Sequence, residues 1–381
     1  MIIEIRKAGF QNKGAELMLL AIVERLRTAY PDAMLTMVPS APNSSQPFAK
    51  LTALGFHPKA SLLRAGIEWG DAAGLVPARL RARYGLVLDR EVDVVIDAAG
   101  FAYSDQWGTA SSLELAHSAR RWRRRGTRLI LMPQAFGPFE DAEIRSAIGA
   151  AVDSANLVMP RDATSYRYLT EVTGGREYIR QYPDFTNLLE GVVPDDFDSG
   201  RFGVALVPNY RMIDMTEDTS GNSYVAFMKA CAQRLQALDA RPFMLIHEGK
   251  DDERLAEEIS GGAIPVVKEE DPRRIKGILG ASRAVVASRF HALVSALSQG
   301  VPAVATGWSH KYTELFSDYG FPAGVLSIDD DVSHVNAMLD SIVDAHSGKE
   351  IAAQLLEQSQ RQKSLTEEMW SDVDAVIQGS R

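Results

Sequence analysis

An arginine and a histidine two residues apart, Arg289 and His291, follow an apolar run in ASRAVVASRFHALVSALSQGVPAVATGWSHK (281–311). The run reads as a strand ending at Ala287 and Ser288, with a helix from about Ala292 to Ser298 closed by Gly300. Arg289 offers a planar fork of donors suited to carboxylate or phosphate. His291 falls near a helix N-terminus, where unsatisfied N–H groups and the helix dipole favour anions. An imidazole there suits a proton donor that becomes charged when an anionic substrate arrives. The plainer reading is a histidine capping a helix beside an arginine salt bridge, and the residues alone leave both open.

Four further segments place polar groups just past a strand. In LVMPRDATSYRYL (157–169), Arg161 is a second candidate anion arm and Asp162 or Thr164 a helix cap; a local Arg–Asp pair is the alternative. LILMPQAFGPF (129–139) sets Gln134, Gly137 and Pro138 in a loop, where glycine lets backbone approach a ligand and proline sets the turn. In KAGFQNKGAELML (7–19), Asn12, Lys13 and Gly14 could present N–H groups to an anion, though the glycine spacing is neither a P-loop nor GxGxxG. IDAAGFAYSDQWG (96–108) brings Tyr103 and Trp107, side chains that stack on sugar rings or fill a folded loop, past a turn at Gly100.

The basic run RRWRRRGTR (120–128) reads as a solvated helix end; contact with an acidic glycan or lipid head group is its other reading. The other histidines show no HxxxH or HExxH spacing, so nothing in the sequence demands a metal site and none is assigned. Cys231, the sole cysteine, lies in a helical pattern and reads as a buried structural thiol.

Short β-rich runs alternate with helical stretches along the chain. Strands are expected at 2–6, 33–39, 92–100, 128–134, 156–162 and 178–184, and again at 202–209, 241–248, 262–267, 282–289 and 301–308. Most are continuous apolar runs, as in parallel sheets buried on both faces. The segment at 188–201, rich in Asp, Gly and Pro, reads as a linker. The expectation is an α/β protein of two Rossmann-like domains, 1–190 and 201–345, facing a cleft, with a long C-terminal helix in 346–381. Ligands of such sheets bind beyond the carboxyl ends of the strands, where the motifs above lie.

With 381 residues, 46% hydrophobic and 24% charged, the chain has the composition of a globular protein of two or three domains' length. A net charge of -9 argues against a nucleic-acid binder, which needs a basic surface, but not against an anionic small molecule. The start MIIEIRKAGF lacks the pattern of a signal peptide, and no run is long and apolar enough to span a bilayer. The expected location is the cytoplasm, with peripheral membrane association through partners left open; the oligomeric state is not set.

Taken in order, the motifs resemble the polysaccharide pyruvyl transferase family. The matching features are Asn12 to Gly14, the strand and loop from Ile96 to Gly100, PQxxGP from Pro133 to Pro138, and the Arg161–Asp162 pair. Pro183–Asp184, the RxHA segment from Arg289 to Ala292, GVP from Gly300 to Pro302, and Lys311 complete the set. Two positions depart from the family pattern: Ala15 stands where an acidic residue usually follows the loop glycine, with Glu16 next, and Ala99–Gly100 replaces a Gly–Gly pair.

The resemblance implies a fold like that of two-Rossmann (GT-B) glycosyltransferases with the active site between the domains. It implies phosphoenolpyruvate as donor, a sugar or lipid-linked oligosaccharide as acceptor, and no metal or organic cofactor. By the same analogy Arg289 and His291 map to the donor site, with His291 the catalytic acid or base. Arg161 is the second donor arginine, and Phe290 and Lys311 are the remaining donor contacts. The acceptor side is assigned to Asn12, Gly14, Gly100, Tyr103 and Gln134. Two rivals remain: a nucleotide-sugar glycosyltransferase or epimerase of the same fold, for which Glu314 is the nearest ribose-binding candidate, and a catalytically silent glycan-binding relative.

Overall fold

The structure, a computed structural model, describes residues 1–42, 44–61, 63–64, 67–214, 218–307 and 310–379. The chain divides into two compact units, one of residues 1–184 with 367–381 and one of residues 185–366.

In the first unit the strands are β1 (Ile2–Arg6), β2 (Met34–Met37), β3 (His57–Ala60), the short antiparallel pair β4 (Leu63–Arg64) and β5 (Ile67–Glu68), β6 (Val87–Leu88), β7 (Val94–Asp97), β8 (Arg128–Gln134) and β9 (Leu157–Pro160). Its helices are α1 (Lys13–Ala29), α2 (Phe48–Ala53), α3 (Ala78–Arg83), α4 (Ala110–Arg125), α5 (Ala142–Val152) and α6 (Ala163–Thr173). Among the described residues the main sheet has seven strands, all parallel, in the order β6-β3-β2-β1-β7-β8-β9. β7 is buried at every position, as a strand covered on both faces must be. α4 turns Leu115, Ala119 and Trp122 inward at helical spacing onto Val95, Leu129 and Leu131, and ends where Gly126 adopts φ 79°.

Three features differ from the sequence-based expectation. Residues 178–184 do not form a strand: Ile179 makes an isolated bridge to Val158, because Pro160 and Pro183 lack the N–H groups needed to continue the ladder. β3 and β6 are strands too short and mixed for periodicity to show. The buried Lys59 of β3 is held at 2.6 Å by Glu4 and at 2.6 Å by Asp89.

The second unit carries β10 (Val204–Val207), β11 (Pro242–Ile246), β12 (Val266–Lys268), β13 (Ala284–Ala287) and β14 (Ala303–Ala305). Its helices are α7 (Arg211–Asp214), α8 (Asp218–Ala237), α9 (Gly249–Ser260), α10 (Pro272–Ala281), α11 (Phe290–Leu297), α12 (His310–Asp318) and α13 (Val332–Val343). Among the described residues the sheet is parallel, in the order β12-β11-β10-β13-β14. Alternation along each strand feeds two cores: Val204 and Leu206 face one, Ala205 and Val207 the other. Cys231 is fully buried in the first of these cores, and burial pushes its thiol up to about 12, as expected of an inert thiol. The strand expected at 301–308 is β14 at its core; Trp308 lies outside the described residues.

The segment after residue 188 packs against α10. Val192 N–H donates to the Arg273 carbonyl at 2.9 Å, and a Cβ on Gly277 would come within 2.2 Å of the Val192 carbonyl carbon. The last helix, α14 (Ser347–Gln378), is divided between the units at residue 366. Ser359 bonds the Ser298 carbonyl at 2.7 Å in the second unit. In the first, Asp374 accepts from Arg25 at 2.8 Å and from Tyr30 at 2.9 Å. Among the described residues no helix is long and apolar enough to cross a membrane.

Candidate active site

In an open parallel sheet, strand order reverses at one point, and the loops leaving the two strands there diverge to open a crevice. In the second unit that point lies between β10 and β13. The loop leaving β13 is Ser288–Arg289, followed at once by α11. The helix begins at Phe290, two residues earlier than the spacing suggests, so His291 lies in its first turn, half-buried.

The turn is held by side chains far away in sequence. The Ser288 carbonyl accepts from Asn209 Nδ2 at 2.8 Å and from the Tyr312 hydroxyl at 3.0 Å. The Tyr224 hydroxyl donates to Ser288 Oγ at 2.9 Å. Gly307 lets Tyr312 close in, since a Cβ there would lie 2.3 Å from its ring. Arg289 is nearly buried and its fork is occupied: Nε meets Asp252 Oδ2 at 3.0 Å, Nη2 meets both Asp252 oxygens at 2.6 Å, and Nη1 meets Glu248. One guanidinium thus faces two carboxylates. Burial pushes both the Asp252 and the Glu248 carboxyls up, against the opposing pull of Arg289. The salt-bridge reading of Arg289 is the arrangement observed.

Phe290 is a core side chain, packed edge-on to Tyr312 at 6.2 Å and to His291 at 5.5 Å. It therefore supports the turn. Lys311, in the first turn of α12, sets its ammonium 5.8 Å from the Phe290 ring centroid and 5.3 Å from that of Tyr312. Of the expected donor residues, Arg289, Phe290, His291 and Lys311 come together in this unit.

In the first unit the order reverses between β1 and β7. The strand ends there carry Arg6 and Asp97, which spacing did not single out. Arg6 Nε meets Asp97 Oδ2 at 2.9 Å, Nη1 meets Glu114 at 3.0 Å, and Lys7 adopts φ 65°, a strained conformation outside glycine. Burial pushes Asp97 up despite Arg6. Glu114, although burial opposes its charge, is held at about 2 by Arg6 and Lys7. The visible signal was a lone Asp ending the apolar run VDVVID.

The expected acceptor residues scatter around these strand ends. Tyr103 is fully buried, its hydroxyl on Asp97 at 2.8 Å and its ring stacked 6.2 Å from Phe136, so it has no face to offer a sugar; Trp107 is the exposed aromatic of that loop, at 40%. Asn12 caps α1, accepting from the N–H groups of Gly14 at 2.8 Å and Ala15 at 3.2 Å, and Lys13 pairs with Glu16 at 2.9 Å. Those two N–H groups serve the cap instead of an anion. Gly100 takes φ 69° beside Met18. Arg161 is buried, with Nη1 3.1 Å from Asp184, while Asp162 caps α6 through the Ser165 N–H at 2.7 Å.

Gln134 ends β8 fully buried, its carbonyl accepting from Arg161 N–H at 2.9 Å, yet among the described residues neither polar atom of its side-chain amide has a hydrogen-bond partner. Such an amide costs roughly 1–3 kcal/mol, and a shape-matched apolar residue removes that cost. Gln134→Leu is therefore expected to raise the urea midpoint of unfolding or leave it unchanged, while lowering turnover. A lowered midpoint with full turnover would show that the amide serves the fold.

Two parallel α/β units with charged side chains at the carboxyl ends of their central strands define a protein of the GT-B-like class. Solved structures share the fold over nearly the whole chain. HepE from Anabaena, in complex with UDP-glucose, is 12% identical with a TM-score of 0.60, over 98% of this chain and 99% of that one. S. aureus MnaA with UDP is 12% identical with a TM-score of 0.61, over 99% and 96%. The UDP-GlcNAc 2-epimerase of Neisseria meningitidis bound to UDP-GlcNAc is 5% identical with a TM-score of 0.59, over 98% and 99%. No curated protein matches in sequence. The polysaccharide pyruvyl transferase profile matches residues 12–310, and the chain belongs to that family.

Proposed function

We propose that the chain transfers a pyruvyl group from phosphoenolpyruvate to a sugar of a surface or extracellular polysaccharide, or of its lipid-linked precursor. The product is a pyruvate ketal and phosphate leaves. The observation that carries this reading is the Arg289–Phe290–His291 turn at the strand-order reversal of the second sheet, with Lys311 beside it, in a chain of this family.

His291 protonates C3 of the enol, which leaves C2 electrophilic. A sugar hydroxyl adds at C2 and releases its proton. A second hydroxyl then displaces phosphate from C2 and closes the ketal. Arg289 and Lys311 balance the donor's carboxylate and phosphate. An anion reaching Arg289 takes the Nη1 donors from Glu248, and Asp252 keeps its two-pronged hold. Trp107 is the acceptor contact, with the buried Gln134 amide behind it at the end of β8, and no cofactor enters the scheme.

The test is phosphate release from phosphoenolpyruvate with a panel of lipid-linked and free glycans. Acceptor-dependent release, with a ketal signal in the product by NMR, is the expected result. The second reading, a nucleotide-sugar enzyme, has the UDP and UDP-sugar complexes of the structural neighbours in its favour. A thermal shift with UDP-glucose, and none with phosphoenolpyruvate, would decide for it.

A further inference from the structure

We propose that the start of β8 carries a second anion-binding site that takes a phosphorylated or diphosphorylated organic ligand. A cavity of about 570 Å³ opens there, lined by Arg123, Arg128 and Arg176 with Asp153, Ser154 and Tyr178. The three arginines come from three places: the last turn of α4, the first residue of β8, and the loop after α6.

Each guanidinium is tethered by one nitrogen. Arg123 Nη1 donates to the Asp153 carbonyl. Arg128 Nη1 donates to the carbonyls of Ile377 at 2.5 Å and Val376 at 3.3 Å, at the end of α14. Arg176 Nη2 meets the Asp153 carboxylate at 3.5 Å. Among the described residues these contacts leave Nε and a second Nη of each to a ligand. Arg128, held at the end of α14, loses less freedom on binding an anion than the exposed Arg123 and Arg176. Three positive charges face one carboxylate, Asp153. The volume falls in the small-molecule range of roughly 300–1,000 Å³, more than a bare ion needs, and Tyr178 is among its lining residues.

The basic run thus splits by task. Arg121 and Arg125 brace the buried Asp89 at 3.0 and 2.6 Å, Arg120, Arg123 and Arg124 are exposed, and of these only Arg123 lines the cavity, together with the half-buried Arg128. β8 runs from Arg128 at the cavity to Gln134 at its other end, roughly 20 Å at about 3.3 Å per residue. The two ends therefore bind independently, and this site does not rest on the proposed reaction.

Free phosphate esters and anionic lipid head groups share the chemistry this cavity recognises. The full-length protein is titrated with inorganic pyrophosphate by calorimetry and sedimented with phosphatidylcholine vesicles made with and without phosphatidylglycerol. Arg123→Gln with Arg176→Gln is compared with Arg120→Gln with Arg124→Gln, which removes the same charge outside the cavity; Arg176→Gln alone is the milder variant. The cavity pair is expected to weaken binding roughly tenfold or more and the control pair much less. Loss in the pyrophosphate arm identifies a soluble phosphate ligand, and loss in the vesicle arm a lipid head group. Binding of neither probe, or equal loss in both pairs, overturns the site. So does pyrophosphate binding that survives the cavity pair and is displaced by phosphoenolpyruvate.

Discussion

Replacing His291 by alanine is expected to abolish acceptor-dependent phosphate release while leaving the melting temperature within a degree or so of the parent. A positioned general acid contributes roughly 10²–10⁴-fold, and no water held at the same place reproduces its geometry. The fold should tolerate the change. The α11 side chains that fill the core are Phe290, Leu293, Val294 and Leu297, whereas His291 is half-buried and alanine suits a helix. Phosphate release in the variant would be followed by single turnover, so that slow product departure cannot hide a chemical defect. Retained turnover would remove His291 from the mechanism. Lost turnover with lost stability would make it a structural residue.

Arg289 carries the second large effect, on stability as well as activity. Arg289→Met leaves Asp252, 1% exposed, and Glu248 facing each other without their cation. Removing one partner of a buried pair typically costs about 3–5 kcal/mol. The pH dependence has a definite sign. Burial raises both folded-state carboxyls above their unfolded values, so folding takes up protons in that window and stability falls as pH rises through it. Without Arg289 the raising effect is unopposed. The deficit of Arg289→Met should therefore be smallest in acid, below the ordinary carboxylate range, and grow as pH rises toward neutrality. Urea midpoints measured across that range check this. Adding Asp252→Leu should restore much of the loss, because two apolar groups replace a buried pair nearly neutrally. A pH-independent deficit would show that the three groups are not coupled. Arg289→Lys keeps the charge but not the fork, so it should fold better than Arg289→Met and still lose donor affinity.

The elements that hold these residues were mostly readable along the chain. Apolar runs ending in polar residues located β1, β2, β7, β8 and β9 and four strands of the second sheet, because strands buried on both faces leave a continuous signal; β12, an edge strand without a buried residue, overlaps its expected run only at Val266 and Val267. β3 and β6 were silent. Each is a short strand near the sheet edge, and the only charged residue in β3, Lys59, is buried by pairing with Glu4 and Asp89, 55 and 30 residues away. The aromatics of one loop show the same limit. Tyr103 and Trp107 look alike as sugar platforms, yet one hydroxyl reaches Asp97 and its ring goes to the core, while the other ring stays at the surface.

By itself the sequence determined two parallel α/β halves, the order of the family's motifs, and a helix starting beside Arg289 and His291, all of which rest on neighbours within a few residues. Only the tertiary structure decided what those residues face. Asp252 and Glu248 reach Arg289 from 37 and 41 residues away, Asp97 reaches Arg6 from 91, and the Gln134 side-chain amide is buried without a partner among the described residues. The physical reason is that burial and ion pairing depend on which strand ends the sheet order brings side by side. Crossover connections set that order, and local periodicity carries no record of it.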